Sequence, residues 1–265
     1  MKMYQHKIHI IAAALLLCAC GETEETVTFE TITAEKIAAL SSDSISPTCS
    51  VTIRLEQATA KSGRPGEIIN STVASRLFNR GDDGLKDAAQ AFADEYTANY
   101  IKNLKLLYNQ DKSDTTKLVW YYYHYIINSR TQTGSKGTLF YLTDINYREG
   151  GAHAVNQQII MNFEEKTGRQ LSLGDVFVEG YESRLKPLLL DALRAKTGLT
   201  NMQALRSQGY LRSMDIYVPE NFILSDTAIT FVYNPDEIAP YSVGSIELTI
   251  GMEALEPLLK TSFEH

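Results

Sequence analysis

Cysteine and histidine are scarce in this chain, with three and five residues among 265. Cys18 and Cys20 sit beside the N-terminal apolar stretch, so Cys49 is the one thiol of the remainder and cannot close an intramolecular disulfide. The fold must then be held by its core, with Cys49 expected to pack as a small apolar side chain. Past residue 19 the histidines are His124, His153 and the terminal His265, too few for a histidine-rich metal site. Catalytic and nucleotide signatures are missing too. There is no G-x-S-x-G elbow, H-E-x-x-H helix, G-x-x-x-x-G-K-[ST] loop or C-x-x-C pair, and no acidic loop with EF-hand spacing. No catalytic residue, metal or cofactor is therefore assigned. Paired carboxylates for glycoside hydrolysis stay open, because acids are many and their separations are not written in a sequence. Positive charge is in deficit, 25 Lys+Arg against 32 Asp+Glu, which disfavours nucleic acid and anionic lipid and tolerates basic partners.

What is present begins with an address. Lys2 and Lys7 precede a short apolar core, Ile8 to Leu17, interrupted by His9. A membrane-spanning helix needs roughly 20 apolar residues, so this stretch has the layout of a signal peptide instead. Leu17-Cys18-Ala19-Cys20-Gly21 resembles the lipobox of bacterial lipoproteins, which implies cleavage after residue 19 and lipidation of Cys20. Ordinary secretion with cleavage after Ala19 is the plainer alternative. Two acyl chains suffice for stable anchoring. Loss of Lys2 and Lys7 would make the mature chain two units more negative than the formal −7. Residues 20–47, from Gly21-Glu22-Thr23-Glu24-Glu25 through a Thr/Ser-rich stretch, are expected to form a lipidated, flexible tether. Acids directly behind the lipidated cysteine also resemble the export signal of Bacteroidetes surface lipoproteins. The protein is thus expected in the cell envelope, held in a membrane by its lipid, periplasmic or surface-exposed.

Periodicity predicts an α+β fold with mainly antiparallel sheets covered by helices. Val51, Ile53 and Leu55 alternate with polar residues as in a strand. Ile69, Val73 and Leu77 recur at helical spacing, and Ala88, Phe92, Tyr96, Tyr100 and Leu104 mark one face of a longer helix. Lys117–Asn128, rich in aromatic and β-branched residues, reads as a central strand. Leu139–Tyr147 and Ala154–Phe163 follow with short connections, as in an antiparallel meander without helical crossovers. The second half reads as a helix over Glu182–Lys196, a short helix over Thr200–Ser207, a hairpin over Phe222–Tyr233 turning at Ser225 and Asp226, and a strand carrying Ile246, Leu248 and Ile250.

Two segments carry candidate contact chemistry. In Tyr147-Arg148-Glu149-Gly150-Gly151-Ala152-His153 the glycines permit a tight turn that could present His153 at a cleft. The plainer reading is a turn glycine pair with a hydrogen-bonded histidine. In Tyr233–Gly244, Pro235 and Pro240 stiffen a loop bearing Asp236, Glu237 and Tyr241, with structural punctuation as the plainer reading. Tyr147, Arg148, His153, Asp236, Glu237 and Tyr241 are the candidate ligand-binding residues.

These segments also carry a family resemblance. Gly150-Gly151-Ala152-His153, Asn162-Phe163-Glu164 with Thr167-Gly168, and Leu171-Ser172-Leu173-Gly174-Asp175-Val176-Phe177 resemble a bacterial extracytoplasmic domain family. Its later signature, Tyr-x-x-x-x-Ile-Ala-Pro-Tyr-x-x-Gly, is matched by Tyr233, Ile238, Ala239, Pro240, Tyr241 and Gly244. Ile68-Ile69-Asn70 resembles the smaller domain that precedes it. Members include the outer part of a lysozyme-sensing anti-sigma factor and the N-terminal part of a peptidoglycan deacetylase. The resemblance implies a pair of small domains, residues 48–160 and 161–265, and an envelope role, not a reaction. It points to a binding or sensing module for a basic, lysozyme-like protein or a glycan. A glycan-active enzyme using carboxylates and His153, and a purely structural lipoprotein, stand as alternatives.

Overall fold

The computed structural model describes residues 26–43, 45–151 and 153–263; the leader, Cys20 and the acids behind it lie outside these. Among the described residues nine strands form two sheets. The first has six strands. β1 (Phe29–Ala39) and β2 (Thr48–Ala58) pair antiparallel along their whole length, from Phe29 opposite Ala58 to Ala39 opposite Thr48. The chain then leaves the sheet for two helices, α1 (Gly63–Phe78) and α2 (Leu85–Asp111), and returns through a 3-10 turn at Leu118–Tyr121. β3 (Tyr123–Thr133) runs parallel to β2, with Cys49 opposite Tyr123. β4 (Thr138–Glu149), β5 (Val155–Glu164) and the short β6 (Gln170–Leu171) complete the sheet antiparallel, in chain order.

Strand alternation divides this sheet into two unlike faces. On one, Val51, Ile53, Leu55, Ile127, Tyr141, Ile145 and Phe163 pack with Ile69 and Val73 of α1 and with Ala88, Ala89, Ala93 and Tyr100 of α2. The alanines let α2 approach the strands closely, while Tyr100 turns its hydroxyl onto the Tyr121 carbonyl at 2.8 Å. Cys49 is fully buried on this side, and burial, then the nearby Glu149, push its thiol up to about 11.

The remainder forms a second layer. α3 (Leu173–Val176), α4 (Glu182–Thr197) and α5 (Met202–Ser207) precede a three-stranded antiparallel sheet of β7 (Phe222–Leu224), β8 (Ala228–Tyr233) and β9 (Ile246–Gly251), followed by α6 (Met252–Leu255). Leu185, Leu189 and Leu193, one to each helical turn of α4, pack with Leu248, Phe231 and Phe222 in a separate core. The outer side of this sheet meets the first through Val232 and Ile223 against Phe140, Leu142 and Ile160. That contact covers one half of the first sheet's second face, the half nearer the start of β1. The other half is open.

Three expectations are corrected. Residues 29–39 do not belong to a tether: Ile32 and Ala34 are buried, and β-branched threonines fit the edge of a sheet as readily as a solvated linker. Lys117–Asn128 is not one strand. Tyr121 donates to Asp111, and Lys117 Nζ is 2.6 Å from the same carboxylate, so the segment is wound against the end of α2 before β3 begins. The antiparallel meander expected from β3 to β5 is present, and the two helices before it form a crossover that sets β3 parallel to β2. The boundary expected at 160/161 falls inside β5, which with β6 carries the first sheet to Leu171.

Candidate functional site

The open half of the sheet presents alternate residues of β3, β4 and β5. Register places His124 opposite Arg148, Ile126 opposite Asn146, and Asn146 opposite Asn156. The side chains link across the strands. His124 Nε2 lies 2.8 Å from Asn146 Oδ1, and Asn146 Nδ2 donates to Asn156 Oδ1 at 2.6 Å. Asn156 Nδ2 donates to the Tyr241 hydroxyl at 2.9 Å, which in turn donates to the Ala154 carbonyl. A second row runs beside the first: Arg130 and the Gln158 amide both donate to Asp144, each at 2.8 Å. Between the rows, Ile126, Asn128, Asn146, Gln158 and Ser245 border a cleft of about 190 Å³.

Aromatic rings flank the polar arc. Trp120 is 57% exposed, Tyr122 43% and Tyr241 38%, large apolar areas for side chains beside a polar floor. Trp120 sits where β4 ends. A Cβ on Gly150 would stand 2.5 Å from the Trp120 carbonyl oxygen, and both Gly150 and Gly151 have φ near +68°. Glycine is required there by contact and by conformation alike. The Arg148 guanidinium closes the turn by donating to the Gly151 carbonyl at 2.9 Å.

At the other end the loop after β8 is a rigid mount. Tyr233, Ile238 and Ala239 are core residues, and the Tyr233 hydroxyl donates to the Tyr217 carbonyl. Pro240 lies so close to Gly209 that a Cβ there would stand 2.7 Å from the proline Cγ. The motif residues before Tyr241 thus hold the loop in place, and Tyr241 is the one they hand to solvent.

A larger cleft of about 590 Å³ lies along the free edge of β5, bordered by Gln158, Ser172, Tyr217, Glu220, Asn234 and Glu237. Here asparagines replace a missing strand. A carboxamide carries a donor and an acceptor, as a peptide does. Asn221 accepts from the Ile160 N–H at 2.9 Å and donates to the Gln158 carbonyl at 2.7 Å. Asn234 takes the Gln158 N–H at 2.6 Å. Asn162, itself buried, answers from β5 by binding the Phe222 carbonyl at 2.8 Å and the Leu224 N–H at 3.1 Å. Asn70 treats Ala58 of β2 in the same way. Ser172 opens α3 with its N–H and hydroxyl on Asp175. Burial raises the Asp175 pKa, but these bonds and Arg169 outweigh it and bring it down to about 2.

The structure brings some of the expected residues together and separates others. Arg148, His153 and Tyr241 meet along the arc, with the rings of His153 and Tyr241 6.2 Å apart. Tyr147 points to the other face, stacked on Tyr125 at 5.0 Å between ring centres and nearly parallel. Glu237 faces the larger cleft and accepts from the Tyr217 hydroxyl at 2.9 Å; burial first, and then this bond, raise the Tyr217 pKa. Asp236 is exposed at φ +72° on the loop. Cys20 lies outside the described residues. The sequence reading missed Trp120, Asn146, Asn156 and Gln158, and counted His124 without giving it a place in a site. A signal did exist: Asp144, Asn146 and Arg148 are polar at every second position of a strand, the mark of a solvated face. Among the described residues no three His, Cys, Asp or Glu side chains group as metal ligands, and no helix is long and apolar enough to cross a membrane.

The fold is an α+β arrangement of two mainly antiparallel sheets with helices packed on them. Comparison with known proteins narrows this to a family likeness. Residues 174–253, from α3 to α6, match a family model described as "Protein of unknown function (DUF3298)". A crystal structure of a DUF3298 family member from Bacteroides fragilis is 29% identical, covers 89% of this chain and 94% of its own, and superposes with a TM-score of 0.82. A DUF3298 family protein from Pseudomonas aeruginosa shares the fold at 16% identity, covering 90% of this chain and 96% of its own, with a TM-score of 0.63. No curated protein matches the chain. The matched region contains the Tyr233–Gly244 motif and Gly174–Phe177, but not Gly150–His153.

Proposed function

We propose that this chain is a lipid-anchored envelope protein that binds an extracellular ligand, a lysozyme-like protein or a glycan, without transforming it. The observation that carries this reading is the hydrogen-bonded arc from His124 to Tyr241 with exposed aromatic residues at both ends. Its polar groups are tied to one another, which fixes their positions before a ligand arrives and lowers the entropy lost on binding. The acid beside it, Asp144, is paired with Arg130 and Gln158. A platform whose polar groups are fixed by one another in this way suits recognition. The lipobox-like sequence at Cys20 supports membrane attachment through lipid. The formal charge of −7 suits a basic partner and disfavours nucleic acid.

The test is calorimetry with the mature chain, kept unlipidated by Cys20→Ser, against lysozyme and soluble glycan oligomers, with product analysis of each mixture. Saturable binding without product supports the proposal. Glycan cleavage that disappears in His153→Ala would replace it with an enzyme, and no binding to either ligand class would leave a structural part of the envelope. For lysozyme, affinity should fall steeply with salt, because long-range attraction between unlike charges is screened.

A further inference from the structure

We infer that the arc between Trp120 and Tyr241 is a binding cleft for a neutral polysaccharide, displayed at the sheet end away from the start of β1. The inference rests on the binding-module reading and names its ligand class. Three observations converge on it. The first is chemical. Carboxamides of Asn146, Asn156 and Gln158 offer donors and acceptors in fixed directions, which is what sugar hydroxyls and acetamido groups require. They carry no charge, and the excess of acids in the chain repels an anionic polymer.

The second is the pairing of that floor with aromatic faces. A pyranose ring has an apolar C–H surface and a polar rim, and an indole or phenol beside a carboxamide meets both at once. Trp120 and Tyr122 stand at one end of the arc and Tyr241 at the other, each more than a third exposed. Gly150 lets Trp120 lie against the β4 turn, where a larger residue would collide with the Trp120 backbone, and the Trp120 ring reaches Gly151.

The third is position. β1 begins at Phe29, beside Ala58, and ends near Thr48; β3 begins at Tyr123, opposite Cys49. The arc therefore starts at the sheet end opposite to chain entry, separated from it by the length of β1, roughly 35 Å at the usual rise per residue. The three-stranded sheet covers the near half of the face and leaves the far half free. The cleft thus lies at the sheet end away from Phe29, the side from which the described chain enters β1.

Trp120 is the single tryptophan of the chain, so its fluorescence reports on this site directly. The unlipidated mature chain is titrated with neutral tetrasaccharides of β-1,4-linked N-acetylglucosamine, glucose and mannose. A saturable change in emission with at least one of them is expected, weakened tenfold or more by Asn146→Ala and by Tyr241→Ala. Arg76→Ala, in the larger cleft, should leave it unchanged. Trp120→Ala should abolish tetrasaccharide binding in calorimetry while circular dichroism stays that of the parent. Lysozyme binding by calorimetry with no response to any tetrasaccharide overturns the glycan inference and keeps the binding module. Tetrasaccharide binding that survives Trp120→Ala and Asn146→Ala moves the site elsewhere and overturns the cleft. Silence with every ligand overturns both readings.

Discussion

The two faces of the six-stranded sheet come from the same strands and obey different rules. On the helix side of β3 to β5, Ile127, Tyr141, Ile145 and Phe163 are buried to 7% exposure or less. On the opposite side Asp144, Asn146, Asn156 and Gln158 face a half-open floor and bond laterally, Gln158 to Asp144 and Asn146 to Asn156. The first face holds the fold together through area removed from water. The second contributes little net stability, since its hydrogen bonds replace bonds to solvent. The lesson is that a polar row maintained along one side of a well-packed sheet is not required by the core, which makes it the place to look for function.

That contrast can be broken deliberately. Phe163→Ala, on the buried face, should cost about 3–5 kcal/mol, the usual range for an aromatic core deletion, read from denaturant midpoints. Asn162→Ala, at the seam between the sheets, should cost about 2–4 kcal/mol. It strands the Phe222 carbonyl and the Leu224 N–H in a buried place, and each such group costs roughly 1–3 kcal/mol. If it proved neutral, the carboxamide would not be replacing a strand.

Acid should act on a smaller scale. The Asp175 pKa is depressed in the folded state, so its contribution is present above the ordinary aspartate value near 3.9 and is lost as pH falls toward about 2. Asp175→Asn should be less stable than the parent at pH 6 and closer to it at pH 2.5, by urea denaturation at both values. Asn146→Ala, half-buried on the open face, should cost about 0.5–1.5 kcal/mol, the usual net worth of a hydrogen bond. Its effect belongs to binding.

The same contrast explains what could be read in advance. The helix written as Glu182–Lys196 spans Glu182–Thr197, and the hairpin turns at Ser225 and Asp226 as its pattern indicates. Leucines at helical spacing and alternating apolar strands announce elements packed on one face only. β1 was hidden because Phe29–Ala39 is an edge strand with little buried beyond Ile32 and Ala34, so threonine-rich strand and threonine-rich linker look alike. Val119-Trp120-Tyr121-Tyr122 carries strong strand propensity, yet its bonds to Tyr100 and Asp111 wind it into a turn. Trp120 was thereby placed in a core it does not enter. For the site, Tyr241 and Arg148 stood out by their neighbours in the chain. Their partners Asn146 and Asn156 did not, because a lateral hydrogen bond between strands depends on register, which no local pattern states.

The most direct test of the open face as the binding surface is a ¹H–¹⁵N spectrum of the unlipidated mature chain, titrated with tetrasaccharide or with unlabelled lysozyme. Its single indole N–H, from Trp120, and the side-chain amides of Asn146 and Asn156 should shift or broaden as ligand is added. Binding that leaves those three signals in place while perturbing amides elsewhere would contradict the account.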